Sequence, residues 1–242
     1  MKICIAQIRP VKGDILANIS KHKILTALAS EFEASAIFFP ELSLTGYEPT
    51  LAKELASDQH DNRLDVFQQI SDNNKITIGL GYPTKEGTSI RISMIIFQPD
   101  QPRQIYSKQQ LHSDEISYFE CGTEQILITP GQIKIAPAIC YESLQSDHSD
   151  YAVKIGAEMY VTSVAKSQSG MNKALLHYPA IAKKYSIPVL MSNCVGYCDN
   201  FNSVGQSAIW NIRGELIAQL DDHTEGILLF NTETEEVIKR NL

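Results

Sequence analysis

One pattern occurs twice in the chain, and it restricts the architecture more than any other feature. An alternating run, Lys2 to Gln7, leads through a helical stretch to the apolar run Ala36 to Phe39, which stops at Pro40. Ile133 to Ile139 leads in the same way, through a helix around Ser149 to Gly156, to Met159 to Val164. Short apolar runs rich in β-branched residues are strands, and strands alternating with helices put an α/β fold ahead of all-α or all-β alternatives. No linker, low-complexity run or shift in charge divides the two halves, so residues 1–242 are expected to form one two-sheet domain.

The remaining elements follow from local signals. Asp14 can cap a helix to about Ser30, with Leu16, Ile19, Ile24, Ala27 and Leu28 on one face. Leu64, Phe67 and Ile70 mark a second helix after Asp61. Ile76 to Tyr82 and Ile92 to Phe97 read as neighbouring strands, with Gly87 in the turn between them. Ile126 to Thr129 and Ile133 to Ile139 flank Pro130 and Gly131 as a hairpin. Lys166 to Lys173 is polar and reads as a rim or lid loop before a helix carrying Leu175, Tyr178, Ile181, Ala182 and Tyr185. Strand Val189 to Asn193 and three strands near Ala208, Leu216 and Ile227 close the chain.

Composition removes several classes of function. A net charge of −7 without local Lys/Arg clusters argues against a nucleic-acid partner. No apolar run approaches the roughly 18 residues of a membrane span. The N-terminal residues reach Arg9 too soon to hold a signal-peptide core, so a cytoplasmic location is expected. Five cysteines without a secretion signal point to reduced thiols. Cys194 and Cys198 have no second Cys/His pair nearby, so no metal is expected.

Three stretches carry residues suited to chemistry. Ile133 to Glu142 ends in Cys140, at the point where an apolar strand gives way to polar residues. Pro137 cannot donate a ladder hydrogen bond and so marks an edge or a strand end. A thiol at a strand exit faces a cleft, although free cysteines also simply pack in cores. Glu41 follows Phe39 and Pro40 at a second strand exit, where apolar neighbours would raise its pKa toward the range useful for proton transfer. A solvated loop carboxylate would look the same. In the third stretch, Lys108, Leu111, Glu115 and Phe119 lie three, four and four residues apart. If that segment is helical they form one stripe, with Lys108 and Glu115 two turns apart, as an ordinary surface charge pair also would be.

Taken in order, these stretches resemble the nitrilase superfamily of carbon–nitrogen hydrolases over nearly the whole chain. The family's Phe-Pro-Glu with a downstream Gly-Tyr is matched by Phe39, Pro40, Glu41, Gly46 and Tyr47. Its lysine context is matched by Tyr106, Lys108, Leu111, Glu115, Phe119 and Gly122, and its nucleophile by Cys140, Tyr141 and Glu142. Asn193, Gly196, Gly205 and Ser207 resemble its later Asn-x-x-Gly and Gly-x-Ser.

The resemblance implies a four-layer α-β-β-α sandwich. It also implies an enzyme that hydrolyses a small linear amide to a carboxylic acid and ammonia through a Cys140 thioester, with no cofactor. Cys140 is the implied nucleophile, with its pKa lowered by Lys108, which also holds the oxyanion together with the Tyr141 N–H. Glu41 is the implied proton shuttle. Glu115 orients Lys108 or touches the substrate amine, and Tyr47, Tyr141 and the Lys166 to Lys173 loop are candidate pocket walls. A homodimer or larger homo-oligomer is expected by the same resemblance. A nitrilase using the same triad is the nearest alternative, and a thiol sensor on the same fold is the alternative from outside enzymes. His112 and His177 are the nearest rivals for a Cys–His pair. Leu144 stands where many small-amidase relatives have arginine, so no particular amidase branch follows. The length of the chain, without an added synthetase or membrane region, speaks against glutamine-dependent NAD synthetase and apolipoprotein N-acyltransferase.

Overall fold

A computed structural model describes residues 1–242. The first half runs β1 (Lys2–Gln7), α1 (Ile15–Glu31), β2 (Ala36–Phe38), α2 (Ala52–Leu55), α3 (Asp65–Asn74), β3 (Thr77–Glu86), β4 (Ser89–Phe97) and β5 (Gln104–Ser107). The second half begins with β6 (Ile135–Ile139), α4 (Ser146–Lys154), β7 (Met159–Val164), α5 (Gln168–Tyr185) and β8 (Val189–Asn193). It ends with β9 (Val195–Cys198), β10 (Phe201–Val204), β11 (Ala208–Trp210), β12 (Leu216–Gln219), β13 (Gly226–Asn231) and β14 (Val237–Asn241).

Two sheets form the centre. One has the order β14-β13-β1-β2-β3-β4-β5 and the other β12-β11-β8-β7-β6. The repeated sequence pattern is visible in both, since β1 and β2 pair in parallel around α1, as β6 and β7 do around α4.

Alternation within strands builds the layers. Ile3 and Ile5 of β1, with Ile92 and Met94 of β4, meet Ile135, Ile139, Met159 and Val161 from the other sheet in one shared core. The intervening Cys4, Ala6, Ile95 and Phe97 face α1 and α3, where Ile15, Ile19, Leu25 and Phe67 cover them. Ala136, Ala138 and Tyr160 face α4 and α5 on the far side, against Ala152, Met171 and Tyr178. Strands buried on both faces read as continuous apolar runs, which is why both halves of the sequence look alike. The result is the expected α-β-β-α sandwich. The two sheets share their inner core, so the halves are packed against each other. No helix is long and apolar enough to cross a membrane.

Four local expectations are corrected. The buried face of α1 is Ile15, Asn18, Ile19, His22, Leu25, Thr26 and Ala29, whereas Leu16 and Ile24 are 66% and 56% exposed. The polar members are buried because each is bonded. Asn18 bonds both the N–H and the C=O of Val11, and His22 Nε2 lies 2.9 Å from Ser43 Oγ. The stretch from Lys108 to Phe119 is turn and loop rather than helix. The hairpin around Pro130 shrinks to a single antiparallel bridge, Ile128 to Ile135. Most of the supposed lid loop, Gln168 to Lys173, is the first part of α5.

Candidate active site

Glu41 is aimed by the chain that leaves β2. The Phe39 N–H donates to Gly79 O and the Leu44 N–H to Gly81 O, so the segment between them is strapped along β3. Leu42 takes a left-handed φ of +50°. Only glycine fits opposite, since a Cβ on Gly81 would lie 2.2 Å from Pro40 O. Glu41 is 1% exposed as a result.

Lys108 enters from the end of β5. Its N–H donates to Ile92 O and its C=O accepts from the Gly122 N–H, so the intervening loop must fold back over it. Within that loop Glu115 Oε2 accepts the His112 N–H at 2.7 Å. Glu115 Oε1 accepts both Lys108 Nζ at 2.7 Å and the Tyr47 hydroxyl at 2.8 Å. Lys108 Nζ also donates to Glu41 Oε1 at 2.7 Å, so a fully buried ammonium sits between two carboxylates. The predicted pair of Lys108 and Glu115 therefore exists, although a loop and not a helical stripe brings it together.

Cys140 follows β6 directly, and β6 is the edge strand in which Pro137 was expected. Its φ is +48°, a left-handed conformation that costs a non-glycine residue about 1–3 kcal/mol. The Cys140 N–H is fixed to Ser163 O of β7. Glu142, two residues on, is fully buried and accepts from the Ile139 N–H, the Gln109 N–H and the Tyr106 hydroxyl. It therefore ties the cysteine turn to the loop after Lys108. Burial pushes its pKa up to about 7 despite these donors.

The site's electrostatics differ from the expectation at the thiol. Burial, and next the Glu41 carboxylate, raise the Cys140 pKa to about 11, outweighing the opposing pull of Lys166 and Lys108. Lys108 is not a free cation: desolvation disfavours its charge, but Glu41 and Glu115 more than restore it. Burial raises the pKa of Glu41, against the Lys108 ammonium. Its Oε2 is buried without a hydrogen-bond partner.

The site opens into a cavity of about 640 Å³ whose lining includes Tyr47, Glu115, Cys140, Tyr141, Lys166 and Phe201. Tyr47 and Tyr141 both face this cavity. His112 and His177 also line the cavity, but His112 Nδ1 is bound to Asp114 and neither ring bonds to Cys140. Cys194 and Cys198 are buried, and the only cluster of potential metal ligands is Asp221, Asp222 and His223 at the surface.

Lys166, expected only as one end of a polar rim or lid loop, lies beside the thiol itself. It is 4% exposed, and its Nζ lies 4.0 Å from Cys140 Sγ. Its N–H donates to Asn193 Oδ1, and its C=O accepts from the Val204 N–H and the Ser203 hydroxyl. Asn193 is braced in turn by Gly205 O and Ser207 Oγ. Asn193, Gly205 and Ser207 therefore frame the Lys166 turn. A charged residue just past the apolar strand Met159 to Val164 was the available signal, the same one that singled out Glu41.

The chain belongs to the carbon-nitrogen hydrolase family, whose model matches residues 2–239. Among curated relatives it is 23% identical over 252 residues to the glutamine-dependent NAD(+) synthetase of Thermotoga maritima, and 25% identical over 255 residues to that of Aquifex aeolicus. All of the chain is matched in both cases, but it spans only 44% of either relative. Solved structures with the same fold include an amidase from Nesterenkonia sp. AN1. A glutamate-to-glutamine mutant of it, with acrylamide added at the active-site cysteine, superposes with TM-score 0.89 at 20% identity, covering 97% of this chain and 94% of that one. A cysteine-to-alanine mutant in complex with butyramide gives TM-score 0.87 at 21% identity, covering 95% and 89%.

Proposed function

We propose that the chain hydrolyses a small linear amide to a carboxylic acid and ammonia. The observation that carries this reading is the buried Lys108 ammonium, held between Glu41 and Glu115 beside a strand-end thiol. An amide carbonyl is a poor electrophile and ammonia a poor leaving group, so the reaction needs a nucleophile, an oxyanion site and a proton shuttle together.

A thiol with a pKa near 11 enters the reaction protonated. Cys140 Sγ therefore attacks the carbonyl carbon as Glu41 takes its proton, an assignment that suits the unpartnered Oε2. The C=O electron pair moves to oxygen, where Lys108 and the Tyr141 N–H receive it. Glu41 passes the proton to nitrogen, the C–N bond breaks and ammonia leaves a thioester. Water then gives its proton to Glu41, attacks the thioester and releases the acid, and the proton returns to sulfur. Glu115 holds Lys108 in place and is a positioning residue.

The test is ammonia release from butyramide, acrylamide, glutamine and the matching nitriles. Glutamine is included because the curated relatives are glutamine-dependent, and the first two because the Nesterenkonia amidase binds them. Release from at least one amide is expected, falling by about 10⁴ or more in Cys140→Ala. Undiminished release from that variant would remove the thioester route, and turnover of nitriles alone would make the enzyme a nitrilase.

A further inference from the structure

One buried carboxylate takes no part in the chemistry proposed above. Glu142 is fully buried two residues after the nucleophile, and its oxygens are saturated with donors. Oε1 accepts the Ile139 N–H at 2.7 Å and the Tyr106 hydroxyl at 2.6 Å. Oε2 accepts the N–H groups of Gln109 at 2.6 Å and Gln110 at 3.2 Å. An ionised carboxylate has about four acceptor positions, so none is left over. One side chain therefore fastens the strand that leads into Cys140 to the loop that leaves Lys108. Three of the four donors are backbone N–H groups, which can only donate. The Tyr106 hydroxyl alone can turn round and accept.

Behind Tyr106 lies a chain of groups that can follow such a turn. Tyr106 Oη is 2.8 Å from His148 Nε2, and His148 Nδ1 is 2.7 Å from Tyr160 Oη. These three residues come from β5, α4 and β7, and all are buried. With Glu142 ionised the hydrogens point one way, from Tyr160 to Nδ1, from Nε2 to Tyr106 and from Tyr106 to Oε1. A proton taken up at Tyr160 Oη moves the Tyr160 hydrogen to Nδ1, the Nε2 hydrogen to Tyr106 and the Tyr106 hydrogen to Oε1. Each tyrosine and the ring keep one hydrogen, and the net change is one proton on Glu142. The other acceptor near Tyr106, Gln125 Oε1, is further off at 3.3 Å and already takes Gln109 Nε2. Burial raises the Glu142 pKa to about 7, against the Tyr106 hydroxyl, the backbone N–H donors and the Lys108 ammonium. Burial lowers that of His148 to about 4, against the exposed Asp147, so the ring is neutral where Glu142 titrates.

We infer that Glu142 is a positioning residue for the nucleophile, and that Tyr106, His148 and Tyr160 form a relay that lets it gain or lose a proton without releasing the cysteine turn. Glutamine cannot do the same work. Either orientation of its amide aims an N–H at a backbone N–H, that of Ile139 or those of Gln109 and Gln110. As a statement about catalysis this rests on the amide-hydrolase reading; as a statement about the relay it does not.

Nuclear magnetic resonance of the chain labelled with 15N-histidine and 13C-carboxyl glutamate tests the relay. His148 should pass from the Nε2–H to the Nδ1–H tautomer as pH falls through about 7, with the same midpoint as the Glu142 carboxyl. In His148→Phe the Glu142 midpoint should drop by about one pH unit, the worth of one buried hydrogen bond to the neutral acid. Should that variant not fold, Tyr160→Phe, which removes one hydroxyl from the far end, should lower the midpoint in the same sense. A tautomer that stays fixed through the Glu142 titration, or a midpoint indifferent to these variants, would overturn the relay. Kinetics test the positioning role. Glu142→Gln should lower kcat on the cleaved amide by about 10² with KM little changed, because the thiol is displaced and the cavity is not. Should it not fold, Glu142→Asp, too short to reach both segments, should lose kcat in the same sense. An unchanged kcat, or a loss confined to KM, would overturn that role. A tautomer switch without amide turnover keeps the relay and removes the hydrolase; turnover with a fixed tautomer does the reverse.

Discussion

Two buried lysines stand near the Cys140 thiol in different surroundings. Lys108 has a carboxylate on either side at 2.7 Å and is immobilised by them. Lys166 sits beside the thiol without a salt bridge, its backbone braced by Asn193 and its charge supported by Cys140 and, through space, by Tyr178 and Glu41. Residue type and burial are the same in both, so the neighbours decide what each can do. A cation already neutralised twice orients groups and donates hydrogen bonds. A cation without a salt bridge keeps more of its field for the groups beside it, here the Cys140 thiol.

The sharpest way to break this contrast is Lys108→Met. It should lower kcat/KM by about 10³ through loss of an oxyanion donor. It should also destabilise the fold by about 3–5 kcal/mol, because two buried carboxylates lose their counterion. Kinetics on the cleaved amide and a urea melt measure the two effects. If Lys108→Met left both the kinetics and the melt unchanged, the ion pairs with Glu41 and Glu115 would not be what sets this lysine apart.

Thiol reactivity sharpens the comparison next. A raised thiol pKa keeps the unreactive neutral form present to higher pH, so Cys140 in the free protein should react with a neutral thiosulfonate at pH 8 about 10² more slowly than a free cysteine. The rate should climb through pH 11, read by mass spectrometry of the Cys140 peptide because Cys121 is exposed. Lys166 pulls the thiol down more than the neutralised Lys108 does, so Lys166→Met should slow the reaction further. A plateau near pH 8 would mean that a thiolate is already formed at rest.

The smallest expected effect concerns the brace. Asn193→Ala removes the acceptor of the Lys166 N–H and should cost about 1–3 kcal/mol in a denaturant melt.

Much of this site was legible because strand exits are legible. Glu41 and Cys140 each follow an apolar run closely, and such runs show in sequence whenever both faces of a sheet are covered. Glu115 was found by a spacing argument whose geometry was wrong: no helix forms, and the loop closed by Gly122 N–H to Lys108 O brings the pair together instead. The inner face of α1 was misread because hydrophobicity cannot reveal that Asn18 and His22 are bonded in the core. The polarity of the run that Lys166 opens suggests a rim loop rather than a helix start with a lysine beside the thiol. Met171, Ala174 and Tyr178 continue the helical spacing upstream and would have carried α5 back toward Ser167.

The left-handed turn at Cys140 sets folding and catalysis against each other at a single residue. Glycine would relieve the backbone there and alanine would not, so the easiest way to make this protein harder to unfold also deletes its sulfur. Selection for thermal robustness alone would drift toward an inert scaffold at this position.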